Sequence, residues 1–475
     1  MTQILTPDIC VIGAGSGGLS VAAAAAAFGV DVVLVERAKM GGDCLNYGCV
    51  PSKAMIAAGK RAHAMRTASV FGIASVEPTV DFNAVHAHVR SVIDAIAPND
   101  SVARFESLGV KVVQAEGRFT DEKTLEAGTF RIQARRFVIA TGSSPVVPPI
   151  SGIETVEILT NESIFNVSHR PDHLLIIGGG PIGLELAQAH RRLGSQVTVV
   201  EGATCLSRED PELARIALQT LRDEGIALFE NHSIERVERT PAGLRLFAKT
   251  QDGSQTAIDG SHLLVAAGRS PNLSALDLDT AKVKHDKRGV SVDDGLRSSN
   301  TRIYAIGDVA GGPQFTHVAN YHAGLVIRAL LFRLPVKANY ASLPRATFLD
   351  PELVQVGLTE AEARKAHGDV KIVSWQVEDN DRAQAERETK GMIKLIADRR
   401  GRIIGVSILA KGASEMGNFW SLALSRKMKL RDLTGFISPY PTVGEIGKRA
   451  AVSYFANMAR KPLVRRIVRF LQTFG

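Results

Sequence analysis

The chain has 475 residues, 45% of them apolar and 22% charged, which is too long for a single core and fits a globular protein of two to four domains. Four cysteines are too few for a disulfide-stapled secreted scaffold and fit a reducing compartment; with no basic residue before Arg37 to mark a secretory leader, a cytoplasmic location is expected. The net charge of +8 is gathered at one end, where seven lysines and arginines and no acid follow Glu445, so the body is close to neutral and no nucleic-acid partner is expected.

Residues 8–12 read as a short apolar strand. Gly13-Ala14-Gly15-Ser16-Gly17-Gly18 follows, then an Ala-rich helix to Phe28, a stop at Gly29 and a second strand over 32–35 that ends in Glu36. Residues 9–30 carry no charge and are long enough to cross a bilayer, yet their glycines gather at the start, as a strand–turn–helix requires. This is G-x-G-x-x-G in its proper context. Gly13, Gly15 and Gly18 permit a tight turn and close approach of a pyrophosphate to the helix N-terminus, and Glu36 is placed to accept from a ribose.

Residues 40–53 read MGGDCLNYGCVPSK. Cys44 and Cys49 lie five residues apart, and Pro51 is expected to open a helix whose positive N-terminus favours a thiolate. A pair able to close a small ring suits reversible dithiol/disulfide chemistry. A zinc half-site would need a second ligand pair, and only the isolated Cys10 and Cys205 remain, so no resident metal is expected; two inert buried cysteines are the other alternative.

Residues 83–105 have helical periodicity interrupted by Pro98, and 111–140 read as short strands. Phe137-Val138-Ile139-Ala140-Thr141-Gly142 is a buried strand running into a glycine turn, with Pro145, Pro148 and Pro149 as a linker. The opening pattern then recurs: a strand over 174–177, Gly178, Gly180 and Gly183, a helix to Leu193, a stop at Gly194, and a strand over 197–200 ending in Glu201. In both copies the acid follows the first glycine by 23 residues. Two such units imply two dinucleotides, one handing electrons to the other. Leu263 to Gly268 and Arg269 closes the second unit, and the strand ending in Gly307 and Asp308 is expected to return to the first, so that the second unit is an insertion. From about Pro344 the texture becomes α+β: a Thr359–Glu362 capping box, a hairpin over 391–409 about a turn at Asp398 to Gly401, and helices through Ala423 and after Pro441. After Pro462 the chain reads as a basic amphipathic helix. Such a helix suits peripheral contact with the inner face of a membrane, or packing on its own or a partner subunit.

These motifs resemble the class I pyridine nucleotide–disulfide oxidoreductases over nearly the whole chain. The two G-x-G-x-x-G units, G-G-x-C-x-x-x-x-G-C-x-P-S-K over 41–53, G-R-x-P-N from Gly268, and A-I-G-D ending at Asp308 carry the resemblance. It implies an α/β fold of two Rossmann-like domains and a C-terminal α+β dimerisation domain. FAD would occupy 1–150 with 271–338, and a nicotinamide the inserted 151–270. A homodimer would form through 339–460, leaving 461–475 as a tail. It also implies that Cys44 is the interchange thiol and Cys49 the charge-transfer thiol. Glu36 would hold the adenosine ribose and Asp308 the ribityl chain, with Lys53 and Glu185 near the flavin's reactive edge. Thr141, Gly142, Gly268, Arg269 and Gly307 complete the expected cofactor contacts. A carboxylate at Glu201 accepts from a 2′-hydroxyl and repels a 2′-phosphate, so NAD(H) is expected over NADP(H).

One motif departs from the family. Where its disulfide reductases carry His-Pro-x-x-x-Glu as an acid–base dyad reaching across the dimer, this chain has Tyr440-Pro441-Thr442-Val443-Gly444-Glu445. A free tyrosine titrates near ~10 against ~6.5 for histidine and is a poor base at neutral pH. The last histidine, His367, lies well before this segment, and no other is expected to stand in. The expected activity is that of a dihydrolipoamide dehydrogenase-like enzyme acting on a small thiol, disulfide or lipoyl group. The alternatives are a mercuric reductase-like enzyme acting on a soft metal ion, and a membrane-docked complex subunit. Mercuric reductases also carry a tyrosine in this region, but no cysteine follows Cys205 here to form their terminal pair.

Overall fold

A computed structural model describes residues 3–459 and 461–474. Each G-x-G-x-x-G copy opens a five-stranded parallel sheet. In the first, Ile9–Ile12 is flanked by Val32–Glu36 and then Lys111–Gln114 on one side, and by Arg136–Ile139 and then Ile303–Ala305 on the other. In the second, His173–Ile177 is flanked by Gln196–Val200 and Ala227–Phe229 on one side, and by His262–Val265 and Ile158–Leu159 on the other. Strands buried on both faces read as continuous apolar runs, as Ile9–Ile12 and Val32–Glu36 do. The strand Ile303–Ala305 pairs in parallel with Arg136–Ile139, more than 160 residues earlier in the chain, so the chain leaves the first sheet, builds the second and returns.

The glycines explain both crevices. A Cβ on Gly13 would stand 2.4 Å from the Ala140 carbonyl oxygen and one on Gly18 1.9 Å from that of Gly13; the same holds for Gly178 against Ala266 (2.4 Å) and Gly183 against Gly178 (2.1 Å). Gly180 has nothing within 4 Å. The outer glycines are thus demanded by protein backbone, whereas Gly180 borders open space at the end of the strands, where a ligand binds in this fold, and Gly15 meets only the Gly42 Cα at 4.0 Å.

The C-terminal domain is an antiparallel sheet in the order Pro344–Thr347, Glu352–Gly357, Ile403–Ala410, Met392–Ala397, Lys371–Gln376. The helices Ala413–Ser425 and Ile446–Ala459 pack on it around Trp420, Ile393 and Ile408. The expected capping box is present in both directions: Thr359 N donates to Glu362 Oε2 (2.8 Å) and Glu362 N to Thr359 Oγ1 (3.3 Å). Gly447 lies against Trp420, where a Cβ would stand 2.2 Å from the indole.

Two features were absent from the sequence reading. Gln3–Leu5 forms a strand beside Phe130–Ile132, and residues 232–260 build a separate three-stranded antiparallel sheet. Pro462–Leu471 is helical, as expected, and its side chains lie at the surface.

Candidate active site

The two cysteines sit on consecutive helical pieces, Gly42–Asn46 and Cys49–Arg66. The second helix opens at Cys49, not at Pro51, so Cys49 itself occupies the first turn, nearest the helix's partial positive charge. Gly42 lies against Gly15, where a Cβ would approach its Cα to 2.7 Å, so the redox loop and the first nucleotide loop touch backbone to backbone.

Cys44 is half-buried and Cys49 exposed. The Cys44 thiol donates to Cys49, and this bond above all draws Cys49 down to about 6; burial opposes the shift, while Thr316 and the Lys53 ammonium add to it. The same bond, with burial, pushes Cys44 up. Thr316 Oγ1 lies 3.3 Å from Cys49 Sγ. Lys53 Nζ donates to Glu185 Oε2 (2.8 Å) and lies over the Phe348 ring. Phe348 N donates to the other Glu185 oxygen (2.8 Å). Side chains from both Rossmann units and the C-terminal domain therefore converge on the thiol helix.

Glu36 and Glu201 have matching environments. Glu36 accepts from the N–H groups of Ala14 (2.6 Å) and Ala38 (2.7 Å), and Glu201 from those of Gly179 (2.7 Å) and Ala203 (2.9 Å). Each carboxylate braces its glycine loop and keeps further lone pairs for a ligand. Gly13, Glu36, Thr141 and Asn272 line one cleft. Asn272 and Thr141 bond each other twice (2.8 and 3.0 Å).

Asp308, whose carboxyl burial pushes up, accepts from Ser143 Oγ (2.6 Å). Arg269 donates to Ser143 Oγ (2.8 Å) and to its carbonyl (2.7 Å), and lies 3.3 Å from Asp43. Asn161 joins the same group through Asp43 (3.0 Å). Gly142 and Gly268 lie at the paired strands Ser143–Pro145 and Arg269–Pro271, where the chain passes between the two units. Gly307 adopts φ +69° and donates its N–H to His322 Nδ1 (3.1 Å).

Tyr440 and Glu445 are not brought to the thiols within one chain. Tyr440 is 67% exposed; its hydroxyl donates to Asp381 (2.9 Å), whose charge pushes the phenol's pKa up. Glu445 pairs with Arg449 (2.9 Å). His317 follows Thr316 directly in the chain. Its Nε2 is bound to the Pro344 carbonyl (2.9 Å) and burial pushes its pKa down, which keeps the ring neutral.

Thr316, Asp43 and His322 also escaped the sequence reading. Asp43 alone could have been found there, as a charge inside the redox motif.

Residues 7–323 match the family described as pyridine nucleotide-disulphide oxidoreductase, and residues 343–451 its dimerisation domain. The chain belongs to this family. Among curated relatives, a mercuric reductase from Streptomyces lividans is 36% identical over 95% of this chain and 97% of its own. A dihydrolipoyl dehydrogenase from Geobacillus stearothermophilus is 33% identical over 94% and 95%. Among solved structures, the Cu(II) complex of the HOCl-induced flavoprotein disulfide reductase RclA from Escherichia coli matches at TM-score 0.84 and 27% identity, covering 95% of this chain and all of that one. Membership makes the chain an FAD-dependent oxidoreductase that uses a pyridine nucleotide, with a dimerisation domain suited to a homodimer. Among the described residues, no helix is long and apolar enough to cross a membrane.

Proposed function

We propose that this protein is a cytoplasmic, NADH-dependent reductase of disulfide substrates, acting through Cys44 and Cys49. The observation that carries this reading is the thiol pair itself: Cys49 at a helix N-terminus, hydrogen-bonded by Cys44, 3.3 Å from Thr316 and electrostatically favoured by Lys53. FAD, held by 1–150 and 271–338, would relay the nicotinamide's two electrons to this pair. Glu36 and Asp308 are the proposed ligands of its ribose and ribityl hydroxyls. The nicotinamide would lie in 151–270, where Glu201 favours a free 2′-hydroxyl and therefore NADH.

Cys44 directs its proton at Cys49, so Cys49 serves as its base while the Cys44 sulfur attacks an incoming disulfide. A Cys44–substrate bond forms and the first substrate sulfur leaves. Cys49 then attacks Cys44, closing the pair and releasing the second sulfur. Two electrons pass to the substrate; one proton comes from Cys44, and Tyr440 of the second copy can supply the other. Asp381 raises the Tyr440 pKa, so the phenol keeps its proton at neutral pH and is no base for an incoming dithiol. That favours acceptor reduction over oxidation of a dithiol.

A second reading, reduction of a soft metal ion, is supported by the same thiols and the absence of the histidine dyad, since a metal bound by two sulfurs needs no acid–base partner. The 36% identical mercuric reductase and the Cu(II)-bound RclA point the same way. Enzyme reduced anaerobically with NADH should be reoxidised within the dead time of turnover by lipoamide. Reoxidation only by Hg(II) or Cu(II) in excess thiol would select the metal reading. The Cys44→Ala variant should still accept electrons from NADH but pass them to neither. The exposed C-terminal helix supports one further element, peripheral contact with the membrane's inner face.

A further inference from the structure

We propose that the C-terminal helix and a basic cleft on the dimerisation domain form one binding face for anionic lipid headgroups. The inference rests on the peripheral membrane contact proposed above and names what is recognised.

The helix Pro462–Leu471 is divided lengthwise. At about 100° per residue, Leu463, Val464, Ile467, Val468, Phe470 and Leu471 fall within an arc of about 160°, and Arg465, Arg466 and Arg469 within about 100° opposite. The apolar arc is not covered by the rest of the chain: Leu463 is 68% exposed, Phe470 62% and Leu471 59%. Apolar residues on one side and arginines on the other are what a helix lying in a bilayer interface needs.

The cleft, of about 480 Å³, is lined by His367, Asp369, Asp398, Arg399, Arg400, Arg402, Lys427 and Lys429. Its two acids are already engaged. Asp398 accepts from the N–H groups of Arg400 and Arg402 (2.9 Å each) and from Arg402 Nε (3.1 Å), fixing the hairpin turn, and Asp369 faces Arg399 at 4.0 Å. Arg400, Lys427 and Lys429 make no ion pair among the described residues. Three cations around a concave opening match a phosphate-bearing headgroup.

The two features belong to one end of the domain. Lys371, two residues beyond Asp369, lies over the Tyr454 ring. Tyr454 is in the last turns of the helix Ile446–Ala459, about 8 Å along the axis from its end, and the basic helix begins three residues later. An anionic bilayer complements both surfaces; a groove on a second copy would have to supply acids to both.

Co-sedimentation with phosphatidylcholine vesicles, with and without about one third phosphatidylglycerol, tests this on the FAD-loaded dimer. The whole chain should bind anionic vesicles only, and less as salt rises. Removing residues 461–475 should abolish binding while NADH-dependent flavin reduction and the dimer persist. Substituting Arg400, Lys427 and Lys429 together by Ser should weaken binding about tenfold or more. Phe470→Ser with Leu471→Ser provides a second test of the helix in the full-length chain. If the triple variant binds like the parent while the truncation does not, the headgroup cleft is wrong and the membrane contact stands. If the whole chain ignores anionic vesicles, or if truncation weakens the dimer instead, both are wrong.

Discussion

Cys49 owes its low pKa to groups from three places: Cys44 five residues before it, Thr316 from a distant helix, and Lys53 one helical turn on. In the reduced enzyme its thiolate should half-form near pH 6, and alkylation of NADH-reduced protein should follow that titration. Thr316→Val removes a hydrogen bond to the charged form and should raise the midpoint by about one pH unit. An unchanged profile would mean that Thr316 serves Cys44 instead. Glu201 offers a comparable test. Glu201→Arg removes the repulsion of a 2′-phosphate and should reverse the ratio of kcat/KM for NADH over NADPH, by about tenfold or more.

At the scale of elements, the contact between the helices Phe82–Ile96 and Pro181–Arg192 holds an anomaly. His190 is fully buried against Phe82, and neither ring nitrogen has a hydrogen-bond partner. Burial draws its pKa down to about 4. Above its unfolded value of ~6.5 the ring is neutral in both states; below it, protonation of the unfolded chain takes stability away progressively as pH falls towards 4. His190→Leu should therefore stabilise the protein at every pH, by about 1 kcal/mol near neutrality from removing unsatisfied polar atoms. The gain should reach about 3 kcal/mol at pH 5; thermal melting at pH 8 and pH 5 would measure the difference.

These same elements show what could be read from sequence. The paired glycine loops were legible because strand, turn, helix and acid all fall within 29 residues. The redox motif was legible for the same reason. Thr316 was not, because only the packing of the helix Thr316–Phe332 against Ser16–Ala27 carries it across more than 260 residues to the thiols. In the sheet of residues 232–260, Gly243–Thr250 alternates, burying Leu244, Leu246 and Ala248, but its neighbour His232–Thr240 has a single fully buried residue, Val237, and gives no such signal.

At the scale of the whole molecule, separate bodies are locked by buried charge. Arg192, 4% exposed, reaches Glu224 (2.7 Å) in the second Rossmann unit and Asp350 (2.6 Å) in the C-terminal domain. Burial would raise the Asp350 pKa, but the guanidinium holds it low. The Tyr440 segment stands apart from this lock, on the surface and away from its own thiols. If Tyr440 serves the thiols of a second copy, mixed dimers of a Cys44→Ala chain and a Tyr440→Phe chain must contain one intact site, with thiols from the second and the phenol from the first. Each parent homodimer lacks such a site. After subunit exchange, half the dimers are mixed, so disulfide reduction should recover to about a quarter of the unsubstituted rate. If Tyr440 acts within its own chain, every site in the mixture lacks one group and exchange should restore nothing. If Tyr440 only fills space, the Tyr440→Phe homodimer should already run at the full rate. The three outcomes separate a proton donor shared across the dimer, one used within the chain, and a bystander.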